Sequence, residues 1–352
     1  MLDLDGAYGE GGGQLLRTAC ALSAITGQAV RIHDIRARRR PPGLAPQHLT
    51  AVKAVATLCG AQTDGLELRS QTLTFRPGQL RGGEFRFDVG TAGSVTLVLQ
   101  ALLPAALFCS TPIRIHLIGG TDVRGAPPFD YLRFVFLPLL ARMGADVKLT
   151  LLRRGYYPRG GGEITAEVWP GRLGPLRLEA AGAPEEIRGI VHVANLPAHI
   201  AMRMHQTAVQ ALSDLAPVEV EQLVLDRSQA VGQGGAIVLW AHCGQALLGG
   251  SEVAQRGIAA ERIAENAAQA LRAEIRAGAT LDIHAADQIP VYAALAHGRS
   301  SFLVRDLSAH AQTVLWLLTR FLPVHVHTAA AGACTRLDIE PGARREGKAG
   351  VD

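Results

Sequence analysis

A loop of small residues running straight into an apolar helix recurs three times along this chain, at residues 11–24, 93–107 and 308–322. Each copy is followed by a β-branched run, giving expected strands at 29–35, 113–118 and 324–327. Alternation of strand-like and helix-like segments specifies an α/β fold. Recurrence at roughly eighty residues implies repeated α/β units rather than one continuous pattern. A further helix is expected over 126–144, opening on Pro127 and Pro128, where proline is tolerated because first-turn N–H groups have no helical partner. A strand at 147–151 follows it.

The repeat is broken by an insertion between residues 187 and 278, preceded by a Gly- and Pro-rich stretch from Pro170 to Pro184. Inside it, residues 218–225 alternate as a strand, and glycines at 232–235 turn the chain into residues 236–240. Residues 258–275 read as an Ala-rich amphipathic helix that Gly278 ends. The insert, about ninety residues long, is a plausible domain in its own right. The expected division is a large domain of residues 1–184 and 279–340, an insert of 185–278, and a disordered tail of 341–352.

Composition sets outer limits. Of 352 residues, 48% are hydrophobic and 19% charged, a balance that supports a large globular core. Five scattered cysteines without CxxC spacing exclude a disulfide framework and a zinc ribbon, and suit a reducing, cytoplasmic setting. The N-terminus lacks the basic and apolar regions of a signal peptide. The longest apolar run, 95–109, contains Gln100 and Pro104 and is too short for a bilayer, so no membrane association is expected. The net charge of +4 tolerates a polyanion without proving one. Only three of the 35 basic residues are lysines, and arginine is the better fork for phosphate.

Four segments carry candidate chemistry. Ser308-Ala309-His310 places an imidazole at the head of a helix, with Ser308 as N-cap. The positive helix end disfavours imidazolium and attracts phosphate oxygens, which suits a neutral histidine nucleophile acting on phosphorus. Gly9-Glu10-Gly11-Gly12-Gly13 precedes a helix carrying Arg17 and matches neither GxGxxG nor a Walker A loop. Glu10 there is either a solvated residue of a tight turn or a ligand for a divalent cation bridging to phosphate. Arg36, Arg38, Arg39 and Arg40, braced by Pro41 and Pro42, form a cationic loop leading to Gln47, either simply solvated or gripping phosphate.

His284-Ala285-Ala286-Asp287-Gln288 combines a ring with hydrogen-bonding groups that suit a nucleobase, although Asp287 is also a natural N-cap. Gln100 is the one strongly polar residue of its helix, either a satisfied core amide or a ligand contact. The turns at 119–122 and 159–162 are structural or functional on equal terms. His325 and His327 share a strand face but lack a third metal ligand at useful spacing.

Taken together, Asp5-Gly6-Ala7-Tyr8-Gly9-Glu10-Gly11-Gly12-Gly13-Gln14-Leu15-Leu16-Arg17, Ile35-Arg36-Ala37, Gln47-His48-Leu49, Gly119-Gly120-Thr121-Asp122, Tyr157-Pro158-Arg159-Gly160-Gly161-Gly162 and Asp287-Gln288 resemble the RNA 3′-terminal phosphate cyclases, in order and over essentially the whole chain. The resemblance implies an α/β (α+β) fold of three repeated βαβαββ-type units around a pseudo-threefold axis, plus the smaller inserted α/β domain. It implies an enzyme that uses ATP and a divalent cation, Mg2+ or Mn2+, to turn an RNA 3′-phosphate into a 2′,3′-cyclic phosphate. The implied course runs through a histidyl-AMP intermediate and then an RNA-adenylate.

Carried across by position, His310 resembles the nucleophile and Glu10 the metal-binding acid. Arg17, Arg36, Arg39 and Gln47 resemble residues that grip the RNA terminal phosphate or the ATP phosphates. Gln100, His284, Ala285, Ala286, Asp287 and Gln288 resemble nucleotide contacts, with Pro127 or Pro128 over the other face of the base. His284 stands where the family often has tyrosine, and Ala309 where some relatives have cysteine. One rival is a non-catalytic RNA-binding relative acting in ribosome assembly, which would be expected to lack the histidine and the arginine grip. A second is a transferase of small phosphorylated metabolites on a similar repeated fold.

Overall fold

The computed structural model describes residues 1–342, whose strands form four sheets. The first contains β1 (Leu2–Asp5), β2 (Val30–His33), β3 (Gln62–Asp64) and β4 (Leu73–Arg76) in the order β1-β2-β4-β3. β1 and β2 are parallel, with Leu2 opposite Val30, so a crossover is needed; α1 (Gly13–Thr26) supplies it. After α2 (Pro46–Cys59) the chain returns as an antiparallel pair. Val30, Ile32, Leu73 and Phe75 alternate with outward residues, and all four are completely buried on the core face.

The second sheet repeats this sense. β5 (Gly83–Asp88) and β6 (Ile113–Gly119) are parallel, joined through α3 (Val95–Ala106), and β6 pairs antiparallel with β8 (Gly162–Trp169), which pairs with β7 (Asp146–Gly155). Between β6 and β7 lie α4 (Phe129–Tyr131), a π-helical turn (Leu132–Phe136) and α5 (Leu137–Arg142). In the third sheet β9 (Arg177–Leu178) and β15 (Ser300–Val304) are parallel, β15 pairs antiparallel with β17 (Cys334–Pro341), and β17 pairs with β16 (Val324–Ala331). α10 (Ala309–Phe321) joins β15 to β16. One large core runs beneath these sheets. α3 lies deep inside it, with only Leu97 and Gln100 less than fully buried.

The fourth sheet has β10 (Glu186–Ala194) parallel to β11 (Val218–Leu225) and antiparallel to β13 (Gly234–Cys243), which pairs with β14 (Ala246–Val253). α6 (Ala198–Leu212) and α7 (Ala260–Ala277) close a separate core with it around Val191, Met204, Ile237, Leu248 and Leu271. Gly278 ends α7 at φ 72°, a left-handed turn that costs glycine little. The other side of this sheet meets the rest of the chain. Trp240 stacks on Phe134 at 4.6 Å, and β12 (Ala230–Val231) adds a parallel edge to β7.

A buried charge cluster also crosses this junction. Arg154 reaches Asp130 at 2.6 Å and Asp122 at 3.1 Å, while His192 from β10 faces both carboxylates at 3.6 Å. The Tyr156 hydroxyl lies 2.9 Å from the other His192 ring nitrogen. Burial alone would oppose ionisation of Asp122, but Arg154 holds it well below the usual carboxylate range. Removing one member would strand buried charge at a cost of about 3–5 kcal/mol.

Several expectations need adjustment. The helix placed at 126–144 begins only at Phe129, and Pro128 is its N-cap, because each proline pushes its predecessor toward extended backbone. The helix placed from residue 11 begins at Gly13, since Gly11 has φ 59°. Asp282, rather than Asp287, is the N-cap of α8 (Ile283–Ala286); Asp287 follows that helix, ahead of α9 (Ile289–Leu295). Pro341 pairs with Val324 inside β17, so the ordered strand enters the segment expected to be a tail. The remainder of that segment, 343–352, lies outside the described residues. All five cysteines are free and buried. No helix among the described residues is long and apolar enough to cross a membrane.

Candidate active site

Ser308 caps α10 as its sequence suggests: its hydroxyl accepts from the Ala311 N–H at 2.9 Å. The same hydroxyl donates to the Asp287 carboxylate, tying the end of α8 to the start of α10. His310 therefore lies in the first turn, where unpaired N–H groups and the helix dipole favour an anion. Its side chain is 42% exposed, and Nε2 lies 3.6 Å from a Glu10 carboxylate oxygen. Arg39 reaches that same oxygen at 3.5 Å. The glycine loop, the arginine loop and the helix terminus thus meet at one place.

Close packing fixes the glycine loop. Tyr8 stacks on Trp316 of α10 at 4.0 Å, and the Arg320 guanidinium lies over the Trp316 ring at 5.5 Å. A Cβ on Gly9 would fall 2.5 Å from the Thr313 hydroxyl, and one on Gly13 would fall 2.0 Å from His48 Nε2. Only glycine permits these approaches.

Beneath the loop sits a buried polar layer. Arg17 is 7% exposed and donates to Gln100 Oε1 at 3.3 Å, while its Nε has no partner among the described residues. Burial lowers its pKa to about 10, still cationic at neutral pH. Gln14 donates to the Asp287 carbonyl at 3.2 Å, and its own carbonyl oxygen has no partner among the described residues. His48 accepts the Ala45 N–H on Nδ1 at 3.3 Å. Burial, then Arg17 and Arg36, push its pKa down to about 3, so it is neutral. Gln14 and His48 belong to quoted motifs but had no assigned role; burial next to arginines is visible only in the fold.

The remaining residues divide into groups. Arg36, at φ 53°, donates to the Gly43 carbonyl at 2.6 Å and so braces its own loop. Gln47 accepts from the Ser94 N–H at 3.3 Å, joining the α2 start to the α3 start. The Pro127 carbonyl accepts from Thr96 at 2.8 Å; Pro127 is half-buried and Pro128 buried. His284 is partly exposed and meets the Tyr131 ring edge-on at 5.6 Å. Ala285 and Ala286 turn their methyls into the core, and Gln288 donates to the His284 carbonyl at 3.0 Å, its Oε1 having no partner among the described residues.

Asp287 has its pKa raised to about 6, by burial first, against the opposing pull of the Ser308 bond and His310. Below it, Asp282 accepts from the Tyr131 hydroxyl at 2.6 Å, from the His284 and Ala285 N–H groups, and from Gly249 of the fourth sheet at 2.9 Å. Neither the capping role of Asp282 nor its link to Tyr131 was visible in the sequence, which pointed to Asp287 instead.

Two further groups have metal-type ligands close together. Asp5, His33 and Asp34 lie at the C-terminal ends of β1 and β2, and Asp122, Asp130 and His192 form the buried cluster already engaged by Arg154. Glu10 alone offers a carboxylate beside His310 within ion-pair distance among the described residues.

Fold and site together define a mixed α/β protein whose first helical turn, glycine loop and arginines are disposed for phosphate groups. A family model described as RNA 3′-terminal phosphate cyclase matches residues 8–328. The chain is 55% identical over 342 residues to the RNA 3′-terminal phosphate cyclase of Nitrosospira multiformis, covering 97% of each protein. It is 44% identical to that of Pyrobaculum neutrophilum, over 96% of this chain and 97% of the relative. With that of Methylococcus capsulatus it shares 47% identity over 91% of each. The chain belongs to the RNA 3′-terminal phosphate cyclase family. The enolpyruvyl transferase NikO from Streptomyces tendae aligns with 98% of this chain and 84% of its own, at 12% identity and TM-score 0.28, too low to bear on fold or function.

Proposed function

We propose that this protein uses ATP to convert an RNA 3′-terminal phosphate into a 2′,3′-cyclic phosphate. The observation that carries the reading is the meeting of His310, Glu10 and Arg39 at the start of α10 in a member of this family. A ring nitrogen of His310 attacks the α-phosphorus of ATP, pyrophosphate leaves, and AMP is held as a phosphoramidate. An oxygen of the RNA 3′-phosphate then displaces the histidine and takes AMP. The adjacent 2′-hydroxyl attacks the 3′-phosphorus, loses its proton and expels AMP. Adenylylation replaces a poor leaving group with a good one, and ring closure gains the advantage of a neighbouring nucleophile.

Arg17, Arg36, Arg39 and Gln47 hold the anionic groups, offsetting charge that gathers in each transition state. His284, Gln100, Asp287 and Gln288, with backbone at Ala285 and Ala286 and the wall at Pro127 and Pro128, receive the nucleotide. Glu10 fits a hard cation that keeps most of its ligands from phosphate and water, and Mg2+ or Mn2+ there would lower the charge of the triphosphate. The reading includes three βαβαββ-type units about a pseudo-threefold axis, residues 1–184 and 279–340, with residues 185–278 inserted; the recurrence of a parallel strand pair beside an antiparallel one in three sheets supports it. We place the enzyme in the cytoplasm.

The test is incubation with ATP labelled on its α-phosphate and a divalent cation. Wild type acquires an acid-labile, alkali-stable label that His310→Ala lacks; equal labelling of both removes His310 from the role. Arg39→Ala is expected to impair RNA end modification more than self-adenylylation. Comparable loss of both steps would place Arg39 on ATP instead.

A further inference from the structure

The turn between β7 and β8 presents Tyr157, which is 79% exposed, against 39% for Tyr8 and 37% for Trp169. A phenol ring left largely in water forgoes a large burial gain, so its exposure on a firmly held turn points to a partner. The turn is well held. Gly160 donates to the Tyr156 carbonyl at 2.8 Å, Arg153 donates to the Gly161 carbonyl at 3.2 Å, and Tyr156 itself is buried against His192. Arg159, also exposed, has its stem beside Gly232, at 3.8 Å from where a Cβ there would sit. Neither Arg159 nor the exposed Arg124 makes an ion pair with the described residues.

Packing connects this turn to the phosphate grip. A Cβ on Gly160 would fall 2.5 Å from the Thr91 carbonyl, and one on Gly93 would fall 2.9 Å from the Gln47 Cβ. Gln47 in turn accepts the Ser94 N–H. The turn at 121–125 that bears Arg124 joins the same group, since the Thr121 N–H donates to the Gly155 carbonyl at 2.9 Å and the Gly155 N–H donates to the Thr121 hydroxyl at 3.1 Å. Exposed aromatic, unpaired arginines and the residues proposed to hold the terminal phosphate therefore border one another.

We infer that the β7–β8 turn is a second RNA subsite, in which Tyr157 stacks on a base of the strand upstream of its 3′-phosphate while Arg159 meets a backbone phosphate. The inference rests on the proposed cyclase reading. Aromatic faces beside arginines are how single strands are held without sequence preference, since every base has a π-face. The phosphates position the strand and the ring adds affinity.

The test uses the full chain and a 3′-phosphorylated ten-nucleotide RNA, with wild type, Tyr157→Phe, Tyr157→Ala and Arg159→Ala. Tyr157→Ala should raise KM for RNA about 5-fold or more, with KM for ATP and self-adenylylation unchanged, as stacking energies per base require. Tyr157→Phe should restore the wild-type KM, and Arg159→Ala should lower the salt slope of RNA binding by about 0.7. An abasic residue moved along the RNA should reproduce the loss at one position, where it adds nothing to Tyr157→Ala. An unchanged KM for Tyr157→Ala, losses that add at every abasic position, or a matching fall in self-adenylylation overturns the subsite. Wild type that forms no adenylate overturns the cyclase reading itself, a separate result.

Discussion

Replacing Tyr131 by phenylalanine tests how the nucleotide segment is held. The Asp282 side chain is completely buried and gathers four donors: the Tyr131 hydroxyl at 2.6 Å, the His284 and Ala285 N–H groups at 2.9 and 3.0 Å, and the Gly249 N–H at 2.9 Å. Burial, reinforced by Asp282, pushes the Tyr131 phenol well above its ordinary range, so it remains a donor. Phenylalanine keeps the ring and its edge-on contact with His284, and removes one short hydrogen bond to a charged acceptor. Such bonds contribute about 1.5–3 kcal/mol, and the carboxylate retains its other donors, so the loss should fall in that range.

Asp282→Ala instead strands a buried hydroxyl and three N–H groups and should cost at least about 4 kcal/mol. Urea unfolding followed by tryptophan fluorescence measures both, with an unchanged m-value as the sign that only stability moved. Because the same carboxylate caps the helix carrying His284, KM for ATP should rise with each loss. A Tyr131→Phe protein within 0.5 kcal/mol of wild type, or an Asp282→Ala protein no weaker than Tyr131→Phe, would refute this reasoning.

Two further outcomes follow from the site. Asp287, raised from 3.8 to about 6, carries no folding penalty below its unfolded value, a growing one between the two, and the full one above about 6. Asp287→Asn should therefore gain up to about 3 kcal/mol of stability at pH 8 and nothing at pH 3.5 while slowing self-adenylylation; equal gains at both pH values would contradict the assignment. Gly13→Ala would drive a methyl to 2.0 Å from His48 and displace the loop by more than 1 Å. Self-adenylylation should fall about 100-fold with circular dichroism unchanged, and a fall under about 5-fold would detach the loop's position from catalysis.

Legibility tracked the range of the force at work. The alternation at the head of Val218–Leu225 made that strand readable, and the Ser308 cap and Gly278 stop depend only on neighbours within a turn. β9, two residues long, exists because Arg177 and Leu178 pair with Ser301 and Phe302 far along the chain, so nothing local marks it. Asp287 looked like an N-cap and Asp282 did not stand out, because the choice between them rests on Tyr131 and Gly249 arriving from two other segments. The same holds for the neutral state of His48, which depends on burial beside two arginines.

By itself the sequence determined that glycine loops precede helices, that Ser308 caps one helix and Gly278 stops another, and which family the motifs resemble, because caps, turns and periodicity act over a few residues. Only the tertiary structure decided which charges share a space: Glu10 with Arg39 and His310, Arg17 with Gln100, Arg154 with two carboxylates. Those meetings are set by the burial of remote apolar faces, which brings distant polar groups into low dielectric and there fixes their partners and their protonation.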